Sequence, residues 1–322
     1  MGVRFFYDSH RIGEFMNSNG EETTTLWKAD PADKNKVRVG PGVTEVDQPQ
    51  SRLELQAEEI ARVGYTVVED CFTPEEVAYI SEKIDHYYKL QVEEIGGEDK
   101  LRAIGDELSV KHLIAYDDIF LKVATHEKVL PIVRHFLGEY FILNLQNGVI
   151  NKSGYYHPAR DYHRDLFYQH YCSSRPLAIS ALMAVDDFTP ETGGTFMLDG
   201  SHKFDAFPSP EFAKKYAKQC SAKAGSIIVF DPMVYHRTGE NTSGRTRRGI
   251  SHIFTLPTFK QQISLPRVLN GKYRDDPFLA KLLGYESETL GDALEWRQVR
   301  IEKRIGAPHT HEGGGKRGRQ IK

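Results

Sequence analysis

The stretch LAISALMAVDDFTPETGGTFML, residues 177–198, decides the fold. Two short apolar runs, Leu177–Val185 and Thr195–Leu198, stand on either side of a segment rich in Asp, Thr, Pro and Gly, which is the pattern of strand, turn and strand. The same kind of run recurs upstream at Phe141–Gln146 and downstream at Ser226–Asp231 and Gly249–Leu256, the last one preceded by the turn NTSGRTR. Many short strands at this spacing form a sandwich or a barrel rather than βαβ units.

Before Gly138 the apolar period is close to 3.6. Leu53, Ala57, Ile60 and Ala61 recur at helical spacing, Gly64 ends that helix, and a short strand follows at Tyr65–Val68. The next helix opens with Thr73 as N-cap, Pro74 in the first position and Glu76 completing a capping box; Val77, Ile80, Ile84 and Tyr87 make its expected buried stripe. A further amphipathic stretch, about His126 to Leu137, ends at Gly138. Residues 1–50, polar and without either period, read as an N-terminal arm; residues 51–300 read as one domain; residues 301–322, containing GAPHTHEGGGKRGRQIK, read as a disordered tail. The helical region from DDPFLAKLLGY to EWRQVRIEKR either caps the barrel or pairs subunits, so both a monomer and a homodimer fit.

Of the 322 residues, 39 % are apolar and 27 % charged, with 17 Phe and 16 Tyr, enough to build a core. Lys and Arg number 42 against 45 Asp and Glu, so no net positive field exists to hold a phosphate backbone, and nucleic acid is not an expected partner. Cys71, Cys172 and Cys220 show no CxxC spacing, which suggests neither a disulfide framework nor a zinc knuckle and points to a reducing compartment. No run approaches the ~20 apolar residues that span a bilayer, and MGVRFFYDSHR is not a signal peptide. A cytoplasmic protein with a small-molecule substrate and no membrane partner is the expectation.

The sharpest chemical feature is DYHRDLFY, residues 161–168. In an extended segment His163 and Asp165 point to one side and Arg164 to the other. SIIVFDPMVYHRTGEN supplies His236 just past a buried strand, and two histidines with one carboxylate on one face make the facial triad of non-haem Fe(II) oxygenases. An isolated His-x-Asp among 13 histidines is commonly only a surface pair. HRDL is also the kinase catalytic-loop string, but His170 stands where that loop needs Asn, and no Gly-rich phosphate loop precedes it. Eleven residues past His236, Arg247 could anchor the distal carboxylate of a dicarboxylate cosubstrate, with Ser251 on the same side of the strand; the other reading of Arg247 is a solvated charge beside Arg245 and Arg248. On Phe141–Gln146, Phe141, Leu143 and Leu145 share one face, and Asn144 and Gln146 the other, so the amides line a pocket or face solvent.

HRD, followed by SRPLAISALMAVDDFTPETGGTFMLDGSHK and AGSIIVFDPMVYHRTGENTSGRTRR, resembles the phytanoyl-CoA dioxygenase family of Fe(II)- and 2-oxoglutarate-dependent oxygenases. The likeness covers about residues 58–260 and begins with GYTVVEDCFTPEEV. It implies a double-stranded β-helix, a jelly roll that is mainly β with flanking helices. It implies Fe(II) on His163, Asp165 and His236, 2-oxoglutarate on Arg247, and O2 as co-oxidant. It also places Ser180 where some relatives have a hydroxyl contacting the 2-oxoglutarate carboxylate, and puts Gln146 at about the distance at which one relative contacts a small zwitterion. Leu182 replaces the family's tryptophan, and His202 in GSHK reads as structural. In the loop NKSGYYHPARDY and just beyond, Tyr156 and Tyr168 are candidates for the substrate mouth, among other aromatic and polar residues. With aspartate at position 165 the resemblance implies hydroxylation rather than halogenation, of a small polar metabolite or natural-product intermediate, releasing succinate and CO2. Two other readings use the same barrel: a metal-dependent hydrolase or lyase, and a binding module without catalysis.

Overall fold

The computed structural model describes residues 37–40, 43–46, 48–166 and 172–305. The chain divides into two compact units, Met1–Arg62 and Val63–Lys322.

In the first unit β1 (Val37–Gly40) and β2 (Val43–Val46) pair antiparallel, Val37 opposite Val46, and α1 (Arg52–Arg62) follows. The hairpin departs from the featureless arm expected for residues 1–50. Its valines flank Gly40-Pro41-Gly42, a strand and turn signal that polar composition hides when the arm is read as a whole.

The second unit begins with β3 (Tyr65–Val68), α2 (Pro74–Ile95), α3 (Glu98–Ala103), β4 (Ser109–Lys111), α4 (Asp118–Ala124) and α5 (Leu130–Leu137). Then come β5 (Ile142–Asn151), β6 (Ala178–Ala184), β7 (Phe196–Met197), α6 (Pro210–Tyr216), β8 (Lys218–Gln219), β9 (Ile227–Phe230), β10 (His236–Arg237) and β11 (Arg247–Thr255). The short helices α7 (Leu265–Leu269) and α8 (Pro277–Leu282) precede α9 (Ala293–Ile305), which runs through the first residues of the expected tail; residues 306–322 lie outside the described ones. No helix among the described residues is long and apolar enough to cross a membrane.

The large sheet has the order β3-β9-β6-β11-β5-β4 and the small one β10-β7-β8. All pairings are antiparallel. This is the jelly roll with flanking helices. Its register sorts the strand residues by face. Tyr65, Phe230, Ser180 and Ile253 lie side by side, as do Val67, Ile228, Leu182 and Ser251, and this inner face packs with Phe188, Met197 and Val234 of the small-sheet side. The outer face meets helices. The Arg248 side chain of β11 donates two bonds to Asp85 of α2, at 2.8 and 2.7 Å, and one to Asp186 at 3.0 Å.

Helix α2 has the reciprocal capping box of Thr73 and Glu76 and ends at Gly96 in a left-handed conformation (φ 86°), where a side chain would be strained. Its buried residues are Ile80, Ile84 and Tyr88. Tyr88 replaces Tyr87 in the expected stripe. Tyr87 instead stacks on Tyr116, ring centroids 4.7 Å apart, while the Tyr88 hydroxyl donates to Glu98 at 2.6 Å.

Candidate active site

His163 sits beside β10 rather than in a strand of its own. Its N–H donates to the His236 carbonyl at 3.0 Å and the His236 N–H returns a bond at 3.1 Å. Two residues on, the Asp165 N–H donates to the Pro232 carbonyl at 3.1 Å. Backbone pairing thus brings together residues 73 positions apart, and the side chains follow: one ligand atom from each of His163, Asp165 and His236 lies within 4.8 Å of the others. Nε2 of His163 is 3.8 Å, and Nε2 of His236 3.3 Å, from the Asp165 carboxylate. Donors held ~2.1 Å from one ion at right angles stand ~3 Å apart, so the set is close to closing on a metal.

Each donor is oriented by a second contact. His163 Nδ1 donates to the Asp161 carbonyl at 2.9 Å and His236 Nδ1 to the Val234 carbonyl at 2.8 Å, which leaves both Nε2 atoms free as ligands. Ser180 Oγ donates to Asp165 Oδ2 at 2.9 Å. Arg164 points away, as alternation requires. It lies over the Tyr235 ring at 4.0 Å and donates to the carbonyls of Ser201, Phe204 and Asp205, bracing the loop behind the site.

The electrostatics fit a cation-binding centre. Burial pushes the Asp165 carboxyl up, but the charges of His236 and His163 and the bonds from His236 and Ser180 outweigh it and hold the group below the carboxylate range. Burial pulls His236 down, and the Asp165 carboxylate more than restores it; His163 is lowered by burial and then by His236.

Arg247 opens β11 on the inner face and is 2 % exposed. It donates to the Gly193 carbonyl at 2.9 Å and lies over the Phe188 ring at 4.2 Å. No carboxylate among the described residues pairs with it, and its buried Nε has no hydrogen-bond partner. Burial, only partly opposed by Asp186, lowers its pKa to about 10. A buried guanidinium without a counter-ion is costly, and at this burial Arg247 is not the solvated charge of a basic turn. Gly193 (φ 79°) makes the approach possible: a Cβ there would lie 2.5 Å from the Gly239 carbonyl oxygen. Ser251 shares the inner face with Arg247, as strand parity predicts.

Other candidates stand elsewhere. Ser180 lies opposite Ile253, six residues along β11 from Arg247, about 20 Å by strand rise. It steadies Asp165 instead of sharing a carboxylate with Arg247. Gln146 pairs with His252 on the outer face, where its amide donates to the Phe120 carbonyl of α4 at 2.7 Å and to His252 Nε2 at 2.8 Å. The register of β5 against β11 shifts between Ile253 and Phe254, which face Leu145 and Leu143. The extra residue, Asn144, sits in this bulge and donates to the Lys260 carbonyl at 2.9 Å. Leu143 and Leu145 therefore face opposite sides, and the inner amide is Asn147, bonded to Gln262 at 3.1 Å. Tyr156 is 58 % exposed and donates to Asp161 at 3.1 Å, on the solvent side of its loop. Tyr168 lies outside the described residues. His202 is buried beneath Gly64, a structural place.

Two expected outcomes test these assignments. Gln146→Leu leaves the Phe120 carbonyl and a buried imidazole nitrogen without a donor, which should cost about 2–4 kcal/mol in denaturant unfolding while KM values stay unchanged; a raised substrate KM would restore Gln146 to the pocket. Asp231, buried in the turn before β10, has its pKa raised to about 6 by burial, against the opposing Met233 N–H and the charges of Lys203 and Arg164. With the folded value above the unfolded one, the stability linked to this group is present below about pH 4 and lost as pH rises through 6. Asp231→Asn should therefore stabilise the fold by about 2–3 kcal/mol at pH 7.5 and by almost nothing at pH 4. An equal gain at both values would contradict this.

Two imidazoles and one carboxylate set on a jelly roll that also buries an arginine without a counter-ion have the donor set of a mononuclear 2-His-1-carboxylate metal centre. The chain belongs to the phytanoyl-CoA dioxygenase family, whose sequence model matches residues 60–249. It is 33 % identical over 261 residues to an uncharacterized protein of Mycobacterium tuberculosis, covering 79 % of this chain and 92 % of that one. To the iron/alpha-ketoglutarate-dependent dioxygenase ausU of Aspergillus calidoustus it is 28 % identical over 210 residues, 62 % of this chain and 64 % of the relative. Among solved structures, EctD from S. alaskensis with 2-oxoglutarate and 5-hydroxyectoine matches with a TM-score of 0.54 at 20 % identity, over 73 % of this chain and 88 % of that one. This likeness shows the shared fold.

Proposed function

We propose that the protein is an Fe(II)- and 2-oxoglutarate-dependent dioxygenase in which His163, Asp165 and His236 hold the iron, Arg247 takes the distal carboxylate of 2-oxoglutarate, and Ser251 lines the same inner face. The observation that carries the reading is Arg247, buried, without a counter-ion and with an orphaned Nε. A hydrolase or lyase on this barrel has no need of a dicarboxylate anchor. Relatives named as iron/alpha-ketoglutarate-dependent dioxygenases support the same chemistry.

When bound, iron and 2-oxoglutarate use O2 to supply the oxidising power for C–H hydroxylation, with release of succinate and CO2. The chain's own part is geometric. The Asp161 and Val234 carbonyls hold both imidazoles in the tautomer that presents Nε2, Ser180 steadies Asp165, and Phe230 packs edge-on to His236, ring centroids 5.0 Å apart. Near Asp165, Leu166, Ala178, Met233 and Ile253 cluster with Leu145 and Phe259. A wall of this kind excludes water and suits an aliphatic target carbon. With Gln146 on the outer face, it favours a natural-product intermediate with an apolar skeleton over a small polar metabolite.

The test is succinate release by protein loaded anaerobically with Fe(II), then given 2-oxoglutarate, ascorbate and O2 across metabolite and natural-product pools. Substrate-stimulated succinate formation is expected. Failure of the iron-loaded protein to bind or turn over 2-oxoglutarate would overturn the reading.

A further inference from the structure

His157 lies in the loop between β5 and the first iron-ligand candidate, six residues before His163. Its Nδ1 accepts a bond from the Ala159 N–H at 3.0 Å. A neutral ring accepting at Nδ1 carries its proton on Nε2. That Nε2 is buried without a partner, in a side chain 8 % exposed. Burial, and then the charge of Arg247, pull the pKa down to about 4, so the ring is neutral across the working range.

The position of the loop is fixed from the metal side. The Ala159 carbonyl accepts from the Thr238 N–H at 2.7 Å, and Arg160 pairs with Glu240 at 3.1 Å. The chain at Gly239 in turn abuts Gly193, whose carbonyl holds Arg247. Two buried donors without partners, His157 Nε2–H and Arg247 Nε–H, thus lie on segments joined by these contacts, near enough for the Arg247 charge to act on the His157 ring, and neither can satisfy the other. Buried donors are rarely left unpaired, and one acceptor brought from outside the chain would satisfy both.

We propose that His157 is a positioning residue for the cosubstrate, its Nε2–H donating to the same distal carboxylate that pairs with Arg247. The inference rests on the assignment of 2-oxoglutarate to Arg247. The competing role is a water-mediated link to Glu107, whose Oε2 is also buried without a partner while its Oε1 accepts from the Tyr155 hydroxyl at 2.6 Å.

Anaerobic Fe(II)-loaded protein is titrated with 2-oxoglutarate and, separately, with pyruvate, which has the oxo-acid end but no distal carboxylate; binding is followed by calorimetry and by the iron–oxo-acid charge-transfer band. His157→Leu should weaken 2-oxoglutarate about 10- to 100-fold, as expected for one hydrogen bond to a charged group. Pyruvate and Fe(II) affinities should stay unchanged, and His157→Gln, which keeps a donor near the same point, should recover most of the loss. Unchanged 2-oxoglutarate affinity in His157→Leu, with a lowered Tm, would assign the residue to the Glu107 link and overturn the proposal. Equal losses for both oxo acids would place its effect at the metal and overturn it too. Absence of 2-oxoglutarate binding by the wild type would instead overturn the dioxygenase reading itself.

Discussion

Asp165→Ala is expected to abolish stable iron retention and to lower substrate-dependent succinate formation by on the order of 10³-fold or more, because the Lewis-acid and positioning contributions of a catalytic metal are worth several kcal/mol. The carboxylate is the only anionic donor in the set, and its removal leaves two imidazoles that repel when both are protonated. Thermal denaturation separates this effect from misfolding. Wild-type protein saturated with Fe(II) or Mn(II) at about 100 times Kd gains about 2.7 kcal/mol. The variant should show a metal-free Tm close to that of the wild type and no increment on adding metal. Full succinate formation by Asp165→Ala would remove the residue from the ligand set, and with it the proposed mechanism.

Arg247→Ala should leave the metal increment intact and raise the 2-oxoglutarate Kd and KM about 30- to 1000-fold, corresponding to about 2–4 kcal/mol for truncating one partner of a buried charged pair. The buried, unpaired guanidinium also destabilises the cosubstrate-free protein. The same substitution should therefore cost little stability in the absence of 2-oxoglutarate, against the usual penalty for losing a large core side chain. Arg247→Lys keeps the charge but loses the planar fork and should recover only part of the affinity. Undiminished 2-oxoglutarate binding in Arg247→Ala would mean that the guanidinium serves another ligand.

Both expectations draw on residues legible in the primary structure. His163 and Asp165 are two apart in an extended segment, and His236 follows a buried strand, so alternation alone places each donor on a definite side. Other candidates lie away from the places expected of them. Parity along β5 is broken at Asn144 by a bulge that arises from its pairing with β11, Gln146 is set on the outer face by its register opposite His252, and Ser180 on β6 meets Asp165. Which face of a strand meets helices and which meets the second sheet depends on neighbours that the strand does not encode. Gln146 shows this well: a buried amide looks like a pocket residue until the Phe120 carbonyl and His252 appear beside it. His157 was visible as one of several polar and aromatic residues in its loop, and nothing in the string marks its Nε2 as buried and unpartnered.

Local sequence thus determined what depends on neighbours a few residues away: the capped helix α2, the short strands and their turns, the His-x-Asp geometry, and the family to which the motif order belongs. Tertiary structure alone decided what depends on distant partners: the register that sets Gln146 outward opposite His252, the pairing of His163 with His236, the use of Ser180 on Asp165, and the lack of a counter-ion at Arg247. Periodicity follows from backbone geometry and is written in consecutive residues. Burial and the satisfaction of polar atoms are properties of contacts made across the whole chain.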